Sequence, residues 1–116
     1  MTEVAFHFNV PDKMNYVCRL LRKASQAQAQ VVVWGPQQEL HTLDEALWAF
    51  SPQSFVSHCW SHDGADITSL SSVVLNPIEN PNAEHAMPHH HILLNLGQTM
   101  PQGYETFKRV IEVVGL

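Results

Sequence analysis

The segment Gln30-Val31-Val32-Val33-Trp34-Gly35-Pro36 predicts a strand that passes directly into a helix. Its apolar residues are consecutive and mostly β-branched, a pattern typical of a central strand that is covered on both faces. Gly35 is expected to end the strand. Pro36 suits the first turn of a helix, because the backbone N–H that proline lacks would have no helical partner there.

A helix is predicted on each side of this strand. Asp12 is expected to cap the first helix, and Pro36 to open the second, which runs to about residue 50. Thr42 and Glu45 have the spacing of a capping box and mark an alternative, later start. The apolar stripes are Met14, Val17, Cys18 and Leu21 in the first helix, and Leu40, Leu43, Leu47 and Phe50 in the second. We favour the earlier start, because Leu40 already belongs to the stripe.

The order of the elements predicts the fold class. Further strands are expected at residues 4–9, 54–60, 72–75, 91–96 and 109–114, with a short helix at 102–107 and a long loop at 76–88. Alternation of strands and helices at this spacing implies right-handed crossovers. We therefore predict a single α/β domain, residues 1–116, with a mostly parallel or mixed sheet flanked by helices. The layout is Rossmann-like, but no glycine pair fits a phosphate-binding loop, so neither a nucleotide site nor another cofactor is expected.

Composition argues against several classes of protein. With 45% hydrophobic and 15% charged residues, the chain is typical of a globular domain. Its formal charge of −5 argues against direct binding of nucleic acid through phosphates. The sequence has neither a signal peptide nor an apolar run long enough for a membrane span, which predicts a cytoplasmic protein. Cys18 lies on the apolar stripe and far from Cys59, so we expect reduced thiols rather than a disulfide.

The second helix carries an aromatic side chain on its polar face. Because successive helical residues are rotated by about 100°, Trp48 lies on the same side of the second helix as His41, Asp44 and Glu45. A large apolar ring among charges is typical of a contact surface. Phe55, beyond the turn at residues 51–53, is close enough in sequence to join Trp48 in one apolar patch. Two alternatives stay open, a core position for Phe55 and a position beneath a loop for Trp48.

The segment Leu43-Asp44-Glu45-Ala46-Leu47-Trp48, followed by Ser54-Phe55-Val56-Ser57-His58, resembles the signature of the chi subunit of bacterial DNA polymerase III, an accessory protein of the clamp loader. Residues 92–96 and 107–114 agree with it. The resemblance implies a non-catalytic subunit in DNA replication. It places Trp48, Phe55 and His58 on the surface that holds the psi subunit or, alternatively, a helicase-like partner. Ser57 stands where the family often has proline.

The resemblance also implies an interaction with the acidic, phenylalanine-ended tail of single-stranded DNA-binding protein. Such a tail requires a cation for its terminal carboxylate and an apolar pocket for its ring. Val114, Lys108 and Arg109 are the candidates. A basic face on the first helix is an alternative; it comprises Arg19, Arg22 and Lys23. We favour the interpretation of these three residues as an ordinary solvated face. Longer chi proteins continue into a basic helical tail, so an end at Leu116 predicts a truncation or a short variant with weakened tail binding.

The main alternative is a small histidine-rich domain that binds a metal or hydrolyses a substrate. Its candidate residues form two groups, His58, Cys59, His62 and Asp63, and His85, His89, His90 and His91. In a strand, residues four apart are separated by about 13 Å, and successive side chains alternate between faces. Ser61-His62-Asp63 and Ser57-His58 contain triad residue types, but adjacent residues do not form a triad. We therefore expect neither a metal site nor a catalytic site, and take Asp44-Glu45 as a solvated helix surface.

Overall fold

The predicted valine strand is central to the sheet in a computed structural model, which describes residues 3–10, 12–50, 58–60, 72–78, 91–97 and 104–115. The strands are β1 (Glu3–Val10), β2 (Val31–Gly35), β3 (His58–Trp60), β4 (Val73–Pro77), β5 (Ile92–Asn95) and β6 (Arg109–Gly115). The helices are α1 (Lys13–Gln26) and α2 (Gln37–Phe50), and a 3-10 helix spans Tyr104–Thr106. The strand order is β1-β6-β5-β2-β4-β3. Every pairing is parallel, which confirms the α/β prediction and decides between a parallel and a mixed sheet.

Both faces of β2 are covered, which explains its uninterrupted apolar sequence. All five of its residues are buried. Val31 and Val33 belong to the core cluster that contains the buried residues of α1 and α2, so they face the helices. Val32 and Trp34 belong to the cluster on the other face, with Leu93. A polar residue in this strand would lose its hydration on either face, so the valine run specifies a central position.

Both helix starts follow the predicted signals. The Asp12 side chain caps α1 by accepting a hydrogen bond from the backbone N–H of Asn15 at 3.2 Å. The predicted stripe of α1 is confirmed by its buried residues, Val17, Cys18 and Leu21. The earlier start of α2 is confirmed too, because the Leu40 N–H donates to the Pro36 carbonyl. Thr42 therefore lies within α2, where its hydroxyl donates to the Gln38 carbonyl instead of capping a helix.

The edge strand β1 exposes its apolar alternate residues. Val4 and Phe6 are 40% and 56% exposed, whereas Ala5 and His7 are half-buried. His7 faces α1, where its Nδ1 lies 2.5 Å from the Tyr16 hydroxyl. The strand predicted at residues 4–9 is confirmed, and α1 covers its face with alanine and histidine. Burial at this edge is set by which face the helix covers, not by which residues are more apolar.

A polar side chain closes the carboxyl end of the central strand β5. Asn95 is fully buried, and its side-chain amide donates to the Glu112 carboxylate at 2.9 Å. Its carbonyl oxygen accepts the Gly97 N–H at 2.8 Å. Nearby, a Cβ placed on Gly35 would lie 3.0 Å from Leu96 Cβ, so glycine permits this close approach. These contacts fix where β2 and β5 end.

Neither helix of the described residues is long and apolar enough to cross a membrane. The predicted reduced thiols are confirmed, because Cys18 and Cys59 are buried and form no disulfide. Burial, assisted by the negative charge of Asp12, raises the pKa of the Cys18 thiol.

Candidate functional site

The candidate site is the flank of α2 that faces the edge strand β3. The polar flank of α2 includes His41, Asp44 and Trp48, as the helical period predicts. Trp60, in β3, pairs in register with Leu75 of β4, whose side chain belongs to the core on the helix side of the sheet. Residues in register on parallel strands share a face, so Trp60 points toward α2. We call the four residues His41, Asp44, Trp48 and Trp60 the tryptophan surface.

Trp60 is held in place by two side chains of α2. Its indole N–H donates to the Asp44 carboxylate at 3.3 Å. Its ring lies against that of His41, with 4.6 Å between centroids and 45° between planes. Gln37 in turn lies 3.4 Å from the Nε2 of His41. These contacts order the indole before any partner arrives, which reduces the entropy lost on binding.

Trp48 lies one helical turn beyond Asp44 and is 64% exposed, more than any other large hydrophobic side chain among the described residues. The prediction that its ring lies on the outer face of α2 is confirmed by this exposure. The rigid indole of Trp60, the carboxylate of Asp44 and the indole of Trp48 thus follow one another along the helix flank. Such a surface suits a partner that offers an apolar pocket and hydrogen-bond donors.

The other residues predicted for this surface are less fully described. His58 lies in β3, two residues before Trp60, and its register partner is Val73. Phe55 lies outside the described residues, so neither its proposed contact nor its alternative core position is tested. Trp60 was not among the residues predicted for this surface, and His41 was placed on the polar face of α2 without a role. The signal that would have found Trp60 is its position in the strand predicted at residues 54–60, which directly follows the second helix in the chain.

The residues predicted for the acidic tail lie at opposite ends of β6. Lys108 and Arg109 are exposed at its beginning, and Val114 lies near its end. Val114 is five residues beyond Arg109, which along a strand is a distance of about 16 Å. One terminal residue spans less than half of that distance, so its ring and carboxylate do not reach both positions. The structure therefore divides this predicted site into two possible locations.

The residues of the metal or hydrolytic alternative are mostly outside the described part of the chain. The residues outside the described part are His62, Asp63, His85, His89 and His90. Within the described ranges, no three histidine, cysteine, aspartate or glutamate side chains form a group that could hold a metal ion. Asp44 and Glu45 were predicted to be a solvated helix surface. Glu45 is exposed, whereas Asp44 is half-buried and accepts a hydrogen bond from the Trp60 indole.

Comparison with protein families shows to which family the chain belongs. The family model described as the DNA polymerase III chi subunit, HolC, matches residues 1–116. The chain belongs to the chi subunit family. A search for individual curated proteins gives no match, so this assignment rests on the family model.

Membership of the chi family confirms the resemblance seen in the segment around Trp48. A chi subunit is an accessory component of DNA polymerase III, which gives this chain a role in DNA replication within the polymerase III complex. The match covers the tryptophan surface and both ends of β6. It assigns no residue to a partner.

Proposed function

We propose that this chi-family chain is a non-catalytic, cytoplasmic subunit that links a psi-like clamp-loader subunit to single-stranded DNA-binding protein. The psi-like subunit binds the tryptophan surface, together with Phe55 and His58. The acidic tail of single-stranded DNA-binding protein binds elsewhere on the chain, and its candidate contacts are either Lys108 and Arg109 at the beginning of β6 or Val114 near its end. A helicase-like protein is an alternative occupant of the tryptophan surface.

The observation that carries the psi assignment is the exposure of Trp48 beside an ordered Trp60. Trp48 lies on α2 and is 64% exposed. Trp60 is held against the same helix by Asp44 and His41. Tryptophans on ordered surfaces are common binding hot spots, because they bury a large area with few rotatable bonds. The family assignment supplies the context of a multisubunit assembly, in which such a surface has a partner.

The division of the two partners between different surfaces supports a linking role. The tryptophan surface lies at the β3 edge of the sheet, whereas β6 is the second strand from the opposite edge. Three strands, β5, β2 and β4, lie between β6 and β3, so four strand spacings separate these two strands. Adjacent strands are about 4.8 Å apart, so the surfaces are about 19 Å apart across the sheet. Two partners at this separation bind without competing for the same side chains.

The proposal is tested by co-expressing the chain with the psi-like subunit of the same organism and measuring complex formation by size-exclusion chromatography. We expect a stable complex for the wild type and loss of that complex for Trp48→Ala. Phe6→Ala is the matched control, because Phe6 is also an exposed aromatic, 56% accessible, but lies on the opposite edge strand. Equal complex formation by all three proteins would contradict the psi assignment.

A further inference from the structure

The edge strand β1 differs in length from the strand at the opposite edge of the sheet. With eight residues it is the longest strand, and within the described part of the chain it pairs with β6 alone. The opposite edge strand, β3, has three residues. A very short edge strand offers few unpaired backbone groups, which is one way in which proteins avoid pairing with other chains. The long edge at β1 lacks this protection.

The backbone groups of Val4 and Phe6 point away from the sheet. The Glu3 N–H donates at 3.1 Å to the carbonyl of the residue that precedes β6. Successive residues of a strand direct their N–H and C=O groups to opposite sides, so Glu3 and the alternate residues after it face β6. The N–H and C=O groups of Val4 and Phe6 therefore lie at the open edge.

The side chains of the same two residues are apolar and exposed. Val4 and Phe6 are 40% and 56% accessible on the face of the sheet that the helices do not cover. Lysine and proline, two residues that often protect an edge, are absent from residues 3–7. On the other face, α1 packs over β5 and β6 and reaches β1 through the Tyr16 side chain, so its axis lies inward of the edge.

The regular part of this edge is short and has a defined centre. The pairing of β1 with β6 is in register from Glu3 to His7 and shifts before Val10. A bulge of this kind increases the local twist and interrupts regular pairing on the bulged strand. A strand that adds to this edge is therefore expected to pair with residues 3–7, whose middle residue is Ala5.

The sequence of residues 3–7 is complementary to itself when two copies run antiparallel about Ala5. In this register Val4 lies opposite Phe6 of the second copy, and Glu3 lies opposite its His7. A β-branched residue opposite an aromatic one, and a carboxylate opposite an imidazole, are favourable cross-strand pairs. A two-fold axis repeats every contact, so the segment forms two apolar pairs and two Glu–His pairs.

The backbone groups match in the same register. Val4 and Phe6 both have their N–H and C=O groups at the open edge, so each opposed pair exchanges two hydrogen bonds. The two-fold axis repeats this exchange at the second pair. Ala5 then lies opposite its own copy as a non-hydrogen-bonded pair, with about 4.5 Å between the Cα atoms. The small side chain of alanine fits this close approach.

The two polar side chains of the segment are suited to a partner copy. Glu3 is exposed and forms no ion pair within the described residues. The Nδ1 of His7 is engaged with the Tyr16 hydroxyl, which orders the ring and leaves Nε2 to donate to a carboxylate. A strand of another protein would have to present the same alternation and the same charges. A second copy of this chain already has both.

We propose that two copies of the chain associate through β1, antiparallel about Ala5, so that two six-stranded sheets join into one. The partner is the chain itself, so this goes beyond the proposed function. The tryptophan surface lies at the far edge of each copy and stays accessible in the dimer. Five residues from each copy form a smaller interface than the roughly 800 Å² per partner of a typical stable complex, so association is reversible, with a dissociation constant that is micromolar or weaker.

The first test is sedimentation equilibrium from about 10 µM to about 1 mM chain, at about 0.15 M salt. This salt concentration screens the repulsion between two copies that each carry a net charge of −5. We expect a monomer–dimer equilibrium for the wild type. Val4→Lys and Phe6→Lys should each weaken it about tenfold or more, because every substitution occurs twice in the interface.

Ile78→Lys is the matched control for these lysine variants. Ile78 is 39% exposed, almost the same as Val4, but it follows β4, the neighbour of the opposite edge strand. We expect its substitution to change the dissociation constant less than about threefold. Thermal unfolding of each variant verifies that it is folded.

A charge exchange distinguishes the Glu–His pairs from effects on the fold. Glu3→Lys places a cation opposite His7 of the second copy, and His7→Glu places a carboxylate opposite Glu3. Each variant alone should self-associate more weakly than the wild type. An equimolar mixture of the two should form a heterodimer, because its pairs become Lys–Glu and His–Glu. A general loss of structure would not be reversed by mixing.

A disulfide tests the register. Ala5→Cys should cross-link two copies on oxidation, since opposed Cα atoms about 4.5 Å apart are within the range of a disulfide. Val4→Cys is the control, because Val4 lies diagonally to its own copy at about 7–8 Å. The native Cys18 and Cys59 are buried, so the wild type should remain a monomer on a non-reducing gel.

Three results would overturn the inference. A wild type that stays monomeric over the whole concentration range would reject self-association. A dimer that Val4→Lys and Phe6→Lys leave unchanged, or that Val4→Cys cross-links as readily as Ala5→Cys, would place the contact on another surface or in another register. A monomeric chain whose complex with the psi-like subunit is lost in Val4→Lys would assign the β1 edge to that subunit.

Discussion

Replacement of Trp48 by alanine should separate partner binding from folding. About 64% of the Trp48 surface is accessible. Taking about 250 Å² for a whole tryptophan, a partner can cover about 160 Å² of it. At about 25 cal/mol per Å², complete burial contributes no more than about 4 kcal/mol. We expect a loss of about 2–4 kcal/mol in binding free energy, which weakens the complex with a psi-like subunit about 30- to 1,000-fold.

The stability of the chain should change little on the same substitution. About 90 Å² of Trp48 is buried by folding and contributes at most about 2 kcal/mol, so urea unfolding of Trp48→Ala should differ from wild type by less than about 2 kcal/mol. The assay is titration calorimetry of wild type, Trp48→Ala and Phe6→Ala with the purified psi-like subunit. An affinity of Trp48→Ala within about threefold of wild type, with a folded protein, would refute the reasoning.

Other predictions concern the packing and ionisation of the core. Gly35→Ala should destabilise the chain by about 1–3 kcal/mol in urea unfolding, since the added Cβ lies 3.0 Å from Leu96 Cβ. Leu96→Ala in the same chain should make the Gly35 substitution less costly, and strict additivity would argue against the contact. Asn95→Ala should cost about 1–3 kcal/mol, because it leaves the half-buried Glu112 carboxylate and Gly97 N–H without their Asn95 partner; a loss below about 0.5 kcal/mol would contradict this. Because the pKa of the Cys18 thiol is raised in the folded state, the free energy of unfolding is highest at pH values below the ordinary thiol pKa of 9.0. This contribution to stability is lost as the pH rises from 9.0 through the higher folded-state pKa. Cys18→Ala should therefore flatten the fall in stability above pH 9.0, and an unchanged slope would count against burial of the thiol.

The fold followed from local patterns wherever burial is nearly complete. The valine run of β2 and the Asp12 cap of α1 each specify one structure, because the competing alternatives leave polar groups unpaired or apolar groups exposed. The face of β1 was not predictable in this way. Val4 and Phe6 are more apolar than Ala5 and His7, yet the position of α1 over the edge of the sheet decides which pair is covered.

The candidate site was predictable only in part, for a similar reason. The exposure of Trp48 follows from the period of α2 alone. The contact of Trp60 with Asp44 and His41 depends on the pairing of β3 with β4, which joins segments that are distant in sequence. The separation of Arg109 from Val114 was available from the sequence, because any strand over residues 109–114 places them at opposite ends. Recognition of the family supplied candidate residues without the distance between them.

A direct test of the linking role measures whether both partners bind one molecule of the chain at the same time. The psi-like subunit is immobilised, the chain is captured on it, and the acidic phenylalanine-ended peptide is then titrated by surface plasmon resonance. The account predicts that the peptide binds the captured chain with the affinity measured for the chain alone, and that either Arg109→Glu or Val114→Asp abolishes this second step without affecting capture. Release of the chain by the peptide, or loss of both steps in the variant that abolishes peptide binding, would contradict two separate surfaces.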